Sequence, residues 1–311
     1  MLLPRLQKTL TGIEITESSV RVAQIVKDKR GWRVTGLVAS PLPEDTLKLS
    51  FKTENINDPE AFVGTLRQAL GTFGGCPCRV GLSLPNEVVK VSMQSYSDLP
   101  RGRKQTEEMI AWWVRGTLPF PVEKARVSYT PLHHDPAGDK RVLASMVHCD
   151  VVKEYEVNMR GLKLEPRVIR PSGINHYNFY HERIPRSGLM AFLGLFERYT
   201  TLFVFDEGEL VFYHGLKKGY SDLHFYQDVD MMIALYQNEN PGKGIDKLFY
   251  ASQVGFQTEL EEGLRSLTAA AVSRLPEREM ISVDPSLNGK RDEVALYPFA
   301  AAIGAAQSLA Q

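Results

Sequence analysis

One pattern occurs twice in this chain, and it restricts the fold more than any other feature. Gly12, Ile13 and Ile15 read as a short buried strand, Glu17, Ser18 and Ser19 as a tight polar turn, and Val20, Val22 and Ile25 as a second strand. The charged turn Lys27 to Gly31 then leads into Trp32 to Val38, which alternates as a third. The layout returns at Leu189 to Leu195, a short turn from Phe196 to Tyr199, the pair Thr200-Thr201, Leu202 to Phe205, the turn Asp206-Glu207-Gly208-Glu209, and Leu210 to Tyr213. Two meanders, each followed by helices and a returning strand, predict a pseudo-duplicated α/β architecture. A fold of that kind leaves a cleft between its halves, a frequent ligand site. A strand that turns through small hydroxyl residues presents backbone N–H groups and hydroxyls that can cradle phosphate. It can equally be an ordinary hairpin.

The remaining elements follow in order. Asn57-Asp58-Pro59-Glu60 caps a helix carrying Phe62, Leu66, Leu70 and Phe73, and Gly74-Gly75 stops it. Arg79 to Leu84 is a strand ended by Pro85. Residues 86–165 read as a small inserted α+β module. It holds a strand from Val88 to Met93 and an amphipathic helix from Thr106 with Met109, Ile110, Trp113 and Val114 on one side. The break Leu118-Pro119-Phe120-Pro121 follows, then a hairpin with its tip at His133 to Lys140, and a helix from Val151 to Gly161. Arg167 to Ile169 is a strand and Ser172 to Arg183 a polar-aromatic helix. After the second meander come helices at Val229 to Tyr236 and Thr258 to Leu275, strands at Lys247 to Tyr250 and Met280 to Val283, and a small-residue helix from Ala295 to Leu309. The expected organisation is a first half at 1–85, joined by 166–187 and the C-terminal helix, the module at 86–165, and a second half at 188–311.

Composition narrows the function classes. The chain has 311 residues, with 37 Lys plus Arg balancing 37 Asp plus Glu, so nothing argues for bulk attraction to nucleic acid or an anionic membrane. Three cysteines, Cys76, Cys78 and Cys149, are too few for a disulfide framework and suit a reducing compartment. Cys76-Pro-Cys78 lacks metal-knuckle spacing. Met1 to Leu10 has no signal-peptide core, and no segment approaches the roughly 20 apolar residues of a membrane span. A cytoplasmic protein without direct membrane insertion is the expectation.

The order and spacing of these segments resemble the actin-like (ribonuclease H-like) ATPase superfamily. More specifically, they resemble the PilM-like pilus-assembly family and its relatives in type II secretion. The resemblance covers nearly the whole chain. Gly12-Ile-Glu-Ile-Thr-Glu-Ser-Ser-Val-Arg-Val stands at the first phosphate loop, Thr106 to Val122 at the family's Pro-Phe-Pro segment, and Phe192 to Gly208 at the second phosphate loop. Phe249 to Gly255 stands at the adenosine loop, and Phe299 to Ala306 at the closing Ala- and Gly-rich helix.

The departures are informative. The resemblance implies an aspartate and a glycine in each phosphate loop, where this chain has Glu14 and Thr16, then Gly194 and Phe196. Of the adenosine-loop glycines only Gly255 remains. The aspartates would help hold magnesium, and the glycines let backbone amides approach phosphate. Glu14, Thr16, Ser18, Ser19, Glu197, Thr200 and Gly255 are therefore degenerate nucleotide-loop positions. Gly215 also runs almost directly through Tyr220 into the next helix, so the subdomain that roofs the nucleotide is nearly absent.

The resemblance then implies a non-enzymatic cytoplasmic scaffold of a type IV pilus or related machine, held at the inner membrane through its partner. It would bind the short cytoplasmic tail of a PilN-type inner-membrane protein near Leu84, Pro85, Leu118, Pro119, Phe120 and Pro121, with homo-oligomerisation left open. The alternative is an ATP-binding switch of the same machine. A superfamily kinase is a third reading, without a matching general base. Elsewhere, His133-His134-Asp135 reads as a polar hairpin tip more than a metal site. His176 and His181 fall on different helix faces, Trp112-Trp113 reads as core plus rim, and Pro241-Gly242-Lys243-Gly244 reads as a helix stop.

Overall fold

The structure, a computed structural model, describes residues 8–74, 78–134, 138–253, 255, 258–287 and 295–310. Cys76 and Asp135 lie outside the described residues.

The first meander is β1 (Leu10–Ile15), β2 (Ser19–Asp28) and β3 (Gly31–Pro41), all antiparallel neighbours. Helix α1 (Pro59–Gly71) follows, its amino end capped by Asp58, whose side chain accepts from the Ala61 N–H at 2.9 Å, with proline in the first turn. Strand β4 (Arg79–Leu84) returns parallel to β1. The inserted elements are β5 (Lys90–Tyr96), α2 (Arg103–Val114), β6 (Ala125–His134) and β7 (Lys140–His148), whose strands make an antiparallel sheet in the order β5-β7-β6. Then α3 (Cys149–Arg160) leads to β8 (Glu165–Pro171), parallel to β4, and α4 (Ser172–Tyr180) crosses to the second half.

That half repeats the plan with β9 (Leu189–Leu195), β10 (Thr200–Asp206), β11 (Glu209–Leu216), α5 (Phe225–Glu239), β12 (Lys247–Ser252), α6 (Thr258–Ser266) and β13 (Ala271–Arg274). Strand β14 (Ser282–Val283) crosses back to pair with β3, and α7 (Ala300–Gln307) closes the chain. The sheet orders are β14-β3-β2-β1-β4-β8 and β11-β10-β9-β12-β13. Without β14, both read third, second, first, fourth, fifth strand of their half, so the duplication expected from the meanders is present.

Two sequence expectations change. The helix expected over Thr258 to Leu275 stops at Ser266, and β13 follows, parallel to β12. A four-residue strand with one β-branched side chain gives no periodicity to separate it from a helix. The module boundary expected at 165 also falls beyond α3. The α3 residues Val151, Tyr155 and Met159 are buried in one core with Ile13, Val22, Phe62 and Leu82 of the first half. The separately packed module is β5 to β7, with its own small core of Tyr96, Ile110, Val142 and Met146.

Helices α4 and α7 cross between the two large sheets, in a core with Ile25, Phe192 and Phe203. This crossing depends on missing side chains. A Cβ on Gly12 would lie 1.9 Å from the Ala302 carbonyl oxygen, one on Gly81 2.0 Å from that of Ala305, and one on Gly304 1.9 Å from that of Asn175. Glycine there lets backbone meet backbone.

Candidate functional site

The cleft between the halves lies where the sequence placed it, at the ends of β1 and β9. Its first wall is the β1–β2 hairpin. The pairing Ile15↔Val20 continues to Thr16 and Ser19, where the Thr16 hydroxyl contacts the Ser19 hydroxyl at 2.8 Å and accepts from the Ser19 N–H at 3.0 Å. The hydroxyls of Thr16 and Ser19 are thus used within the turn. The second wall is the β9–β10 turn, closed by the Phe196 N–H donating to the Tyr199 carbonyl at 2.9 Å. The Thr200 hydroxyl donates to the Lys218 carbonyl at 2.9 Å.

The shortened connection from β11 to α5, residues 217–224, packs straight onto this second turn. The Tyr220 N–H donates to the Phe196 carbonyl at 3.1 Å, and a Cβ on Gly219 would sit 2.3 Å from the Glu197 carbonyl oxygen. Residues 217–224 thus form a strap that covers the backbone of the β9–β10 turn. Phe196 is buried with its ring 4.9 Å from that of His176.

Glu14 and Arg21 of the first hairpin and Gln253 of the second half close the cleft floor. Glu14 is 1% exposed. One of its carboxylate oxygens accepts from Gln253 Nε2 at 3.2 Å, and the other lies 3.6 Å from Arg21 Nη1. Arg21 also donates to Gln253 Oε1 at 3.1 Å and to the Pro298 carbonyl at 3.0 Å. Burial pushes the Glu14 carboxyl up from its ordinary value, opposed by the Arg21 charge and by hydrogen bonds from Gln253, Ser172 and Arg21. At the mouth, Arg198 of the second turn pairs with Glu17 of the first. The two turns that would flank phosphates are latched to each other.

What remains is a cavity of about 190 Å³, lined among others by Glu14, Arg21, Asn86, Phe196 and Gln253. Ligand pockets for drug-sized molecules run to about 300–1,000 Å³. These residues do not fit a magnesium nucleotide. The Glu14 carboxylate is already paired with the Arg21 guanidinium, and the strap at 217–224 covers the backbone of the second turn. Glu197 is exposed and lines the same cavity as Glu14. Gly255 keeps a φ of +96° but faces the Tyr297 ring, which a Cβ there would meet at 3.3 Å. Among the described residues no group of three His, Cys, Asp or Glu side chains is placed to hold a metal ion.

The sequence reading named positions in both turns and did not name Arg21, Gln253 or Arg198, which contact them. Arg21 was accessible, because a hairpin that pairs Ile15 with Val20 also pairs Glu14 with Arg21, an opposite-charge cross-strand pair. Gln253 and Arg198 come from positions 239 and 181 residues away from their partners, and no local pattern marks them.

The residues expected to bind a partner are not gathered in one place. Leu84 lines a groove of about 470 Å³ between the module and β8. Pro85 lines the central cleft, and Pro119 a separate cleft of about 680 Å³ between β5 and β11. Leu118 is partly buried and packs against the module's core, and Pro121 is exposed. Phe120 is half-buried, its ring 5.1 Å from Phe51 and 4.7 Å from His148.

The 470 Å³ groove has a more distinctive construction. Its walls include β8, the outer strand of the first large sheet, and β6, the outer strand of the small sheet. Two sheet edges therefore face one groove. Ile169, Ile174, Val127 and Leu143 supply apolar surface, and Arg126, paired with Glu156 at 3.0 Å, supplies charge.

No family model and no curated protein matches the chain. Among solved structures, it is similar to the PilM-PilN type IV pilus biogenesis complex, with a TM-score of 0.82, 16% identity, and 99% of this chain and 100% of that one covered. It is also similar to the cytoplasmic domain of EpsL, an inner-membrane component of the type II secretion system of Vibrio cholerae. That match has a TM-score of 0.54 and 9% identity, with 97% and 95% covered. A Bacteroides thetaiotaomicron protein described as having an actin-like ATPase fold matches with a TM-score of 0.52 and 10% identity, with 94% and 95% covered. With its two β-meander halves in the same strand order and full-length likeness to these structures, the chain has the actin-like ATPase fold.

Proposed function

We propose that this chain is a non-catalytic cytoplasmic component of a type IV pilus or related secretion machine. In this reading it holds the short cytoplasmic tail of a PilN-type inner-membrane protein, and through that partner it sits at the membrane. The observation that carries the reading is the groove flanked by the free edges of β6 and β8. An extended tail can add main-chain hydrogen bonds at such an edge while its side chains enter the apolar surface between. The full-length likeness to a PilM-PilN complex supports the occupant, and the closed central cleft supports a scaffold over an ATP-driven switch. Among the described residues no helix is long and apolar enough to cross a membrane, which suits attachment through a partner.

The test is a titration of a labelled synthetic PilN-type tail into the protein and into Ser128→Trp. Ser128 is exposed in the groove, so the larger side chain fills the space without entering a core. The reading predicts saturable binding to the wild type and at least about a tenfold loss in the variant. No binding by the wild type, or equal binding by both, refutes it.

A further inference from the structure

The sequence places Trp113 among the buried residues of an amphipathic helix and its neighbour at the rim. The structure places both outside. Helix α2 buries Thr106, Ile110 and Val114, whereas Trp112 is 55% exposed and Trp113 61%. The burial stripe at spacing four leaves Trp113 one residue off the buried line, and Trp112 further round.

The two indoles are ordered against each other and against a cation. Their rings meet edge to face at 5.4 Å, and Tyr96 backs Trp113 at 6.4 Å. The Arg115 guanidinium lies 3.9 Å over the Trp112 ring and donates to the Trp112 carbonyl at 3.0 Å. A Trp side chain offers up to about 250 Å² of surface, so the pair leaves roughly 300 Å² of contiguous aromatic surface in water. Patches of that order mark interaction sites.

Charge along α2 favours an anionic partner. Lys104 and Arg103 are matched along the helix by Glu108 at 3.8 Å and Glu107 at 3.0 Å. Arg101 and Arg115, both exposed, have no carboxylate partner in the ion pairs of the described residues, and they stand at the two ends of the helix. The formal charge of the whole chain is zero, so this excess is local. Neither tryptophan lines any of the cavities described above, so the pair does not sit in a preformed socket for a protein anchor. A pair of amphipathic indoles with a guanidinium held at the same depth matches the chemistry of a bilayer interface. There the indoles settle at headgroup level and Arg meets phosphate.

We propose that the Trp112–Trp113 face of α2 is a peripheral contact for an anionic phospholipid surface. It rests in the interface and does not span it. Single charges near such a surface contribute weakly, so this contact supplements another tether and does not replace one. The proposal stands independently of the tail groove, although Arg103 and Glu107 on another flank of α2 line that groove.

The experiment uses the full chain with no tail peptide present. The protein is mixed with phosphatidylcholine vesicles containing about one-third phosphatidylglycerol, and with pure phosphatidylcholine vesicles. Sedimentation and tryptophan emission are followed. Trp112 and Trp113 are two of the three tryptophans in the chain, so quenching by brominated acyl chains reports their depth directly. Expected are sedimentation with the anionic vesicles only, a blue-shifted and quenched emission, and weakening by salt. Trp112→Ser/Trp113→Ser is expected to lose about tenfold or more of the vesicle affinity with an unchanged melt, because both side chains are exposed. Arg101→Glu/Arg115→Glu leaves the tryptophans in place and is expected to lose binding as well. The proposal is overturned by absence of sedimentation with anionic vesicles, by unquenched emission, or by a double tryptophan variant that binds as well as wild type. Self-association through the tryptophans in place of vesicle binding, seen as a velocity-sedimentation shift that the double variant abolishes, overturns it too.

Discussion

Arg21→Met isolates the interaction that closes the central cleft. Glu14 is 1% exposed and its nearest cation is Arg21 Nη1 at 3.6 Å. At an effective dielectric of about 20, a unit charge pair at that separation is worth ~4.6 kcal/mol, in line with the ~3–5 kcal/mol seen when one partner of a buried pair is removed. The variant also gives up the bonds from Arg21 to Gln253 and to the Pro298 carbonyl, which tie the first hairpin to the second half. Arg21→Met is expected to lose ~4 kcal/mol of unfolding free energy at pH 7, measured by urea denaturation. Glu14→Gln in the Arg21→Met background removes the stranded charge while keeping the bond to Gln253, so it recovers ~2 kcal/mol or more. The pH dependence has a fixed sign. Burial already raises the folded-state pKa of Glu14, and loss of Arg21 raises it further, so the native state of the variant keeps a proton that the unfolded chain releases. The deficit is therefore largest above the folded pKa and shrinks as pH falls toward the ordinary carboxylate value. A loss below ~1 kcal/mol, or no recovery in the double variant, refutes the claim that this pair seals the cleft.

Gly81→Ala drives a Cβ to 2.0 Å from the Ala305 carbonyl and is expected to cost at least ~2 kcal/mol, whereas Gly64→Ala on exposed α1, with nothing within 4 Å, should gain up to ~1 kcal/mol. Thermal melts of the two check this, and equal effects would show that α7 does not need the glycine surface. His176 is buried with neither ring nitrogen hydrogen-bonded, and burial holds its pKa down at about 3. The unfolded chain takes up that proton from about pH 6.5 downward, so stability is full above that value and falls on acidification, by ~2 kcal/mol at pH 5. His176→Phe removes this share of the slope, and an unchanged slope in urea titrations contradicts the assignment. Phe120→Ala, losing ring contacts to Phe51 and His148, is expected to cost ~2 kcal/mol in stability while changing tail affinity less than about threefold. Lost binding with an unchanged melt would return Phe120 to the partner site.

What the sequence made legible follows from how local each signal is. The strands Arg79–Leu84 and Leu189–Leu195 appear with the bounds the sequence predicts, because Pro85 closes the first apolar run and Gly188 opens the second. The Asp58 cap and the Pro59 start were readable for the same reason. The short β13 was not, since its four residues carry no period. Trp113 was misplaced because a helical wheel with an apolar residue at the edge of its stripe admits either side. The central cleft was half legible. Phe196 and the altered loop residues were readable as departures from the loop pattern that the resemblance implies. What fills the cleft depends on Gln253 and Arg198, whose partners are fixed only by the tertiary fold. The partner groove was legible only as a region. Its walls are two strand edges, and edges exist once sheet order is known.

We propose that the closed cleft is a structural junction and not a nucleotide site. Calorimetric titration of ATP with magnesium into the wild-type protein, alongside a phosphate-release assay, tests it most directly. With Arg21 on Glu14, the 217–224 strap over the second turn and about 190 Å³ of space, the account predicts dissociation weaker than about 100 μM and no hydrolysis above background. A saturable titration with low-micromolar affinity would contradict it.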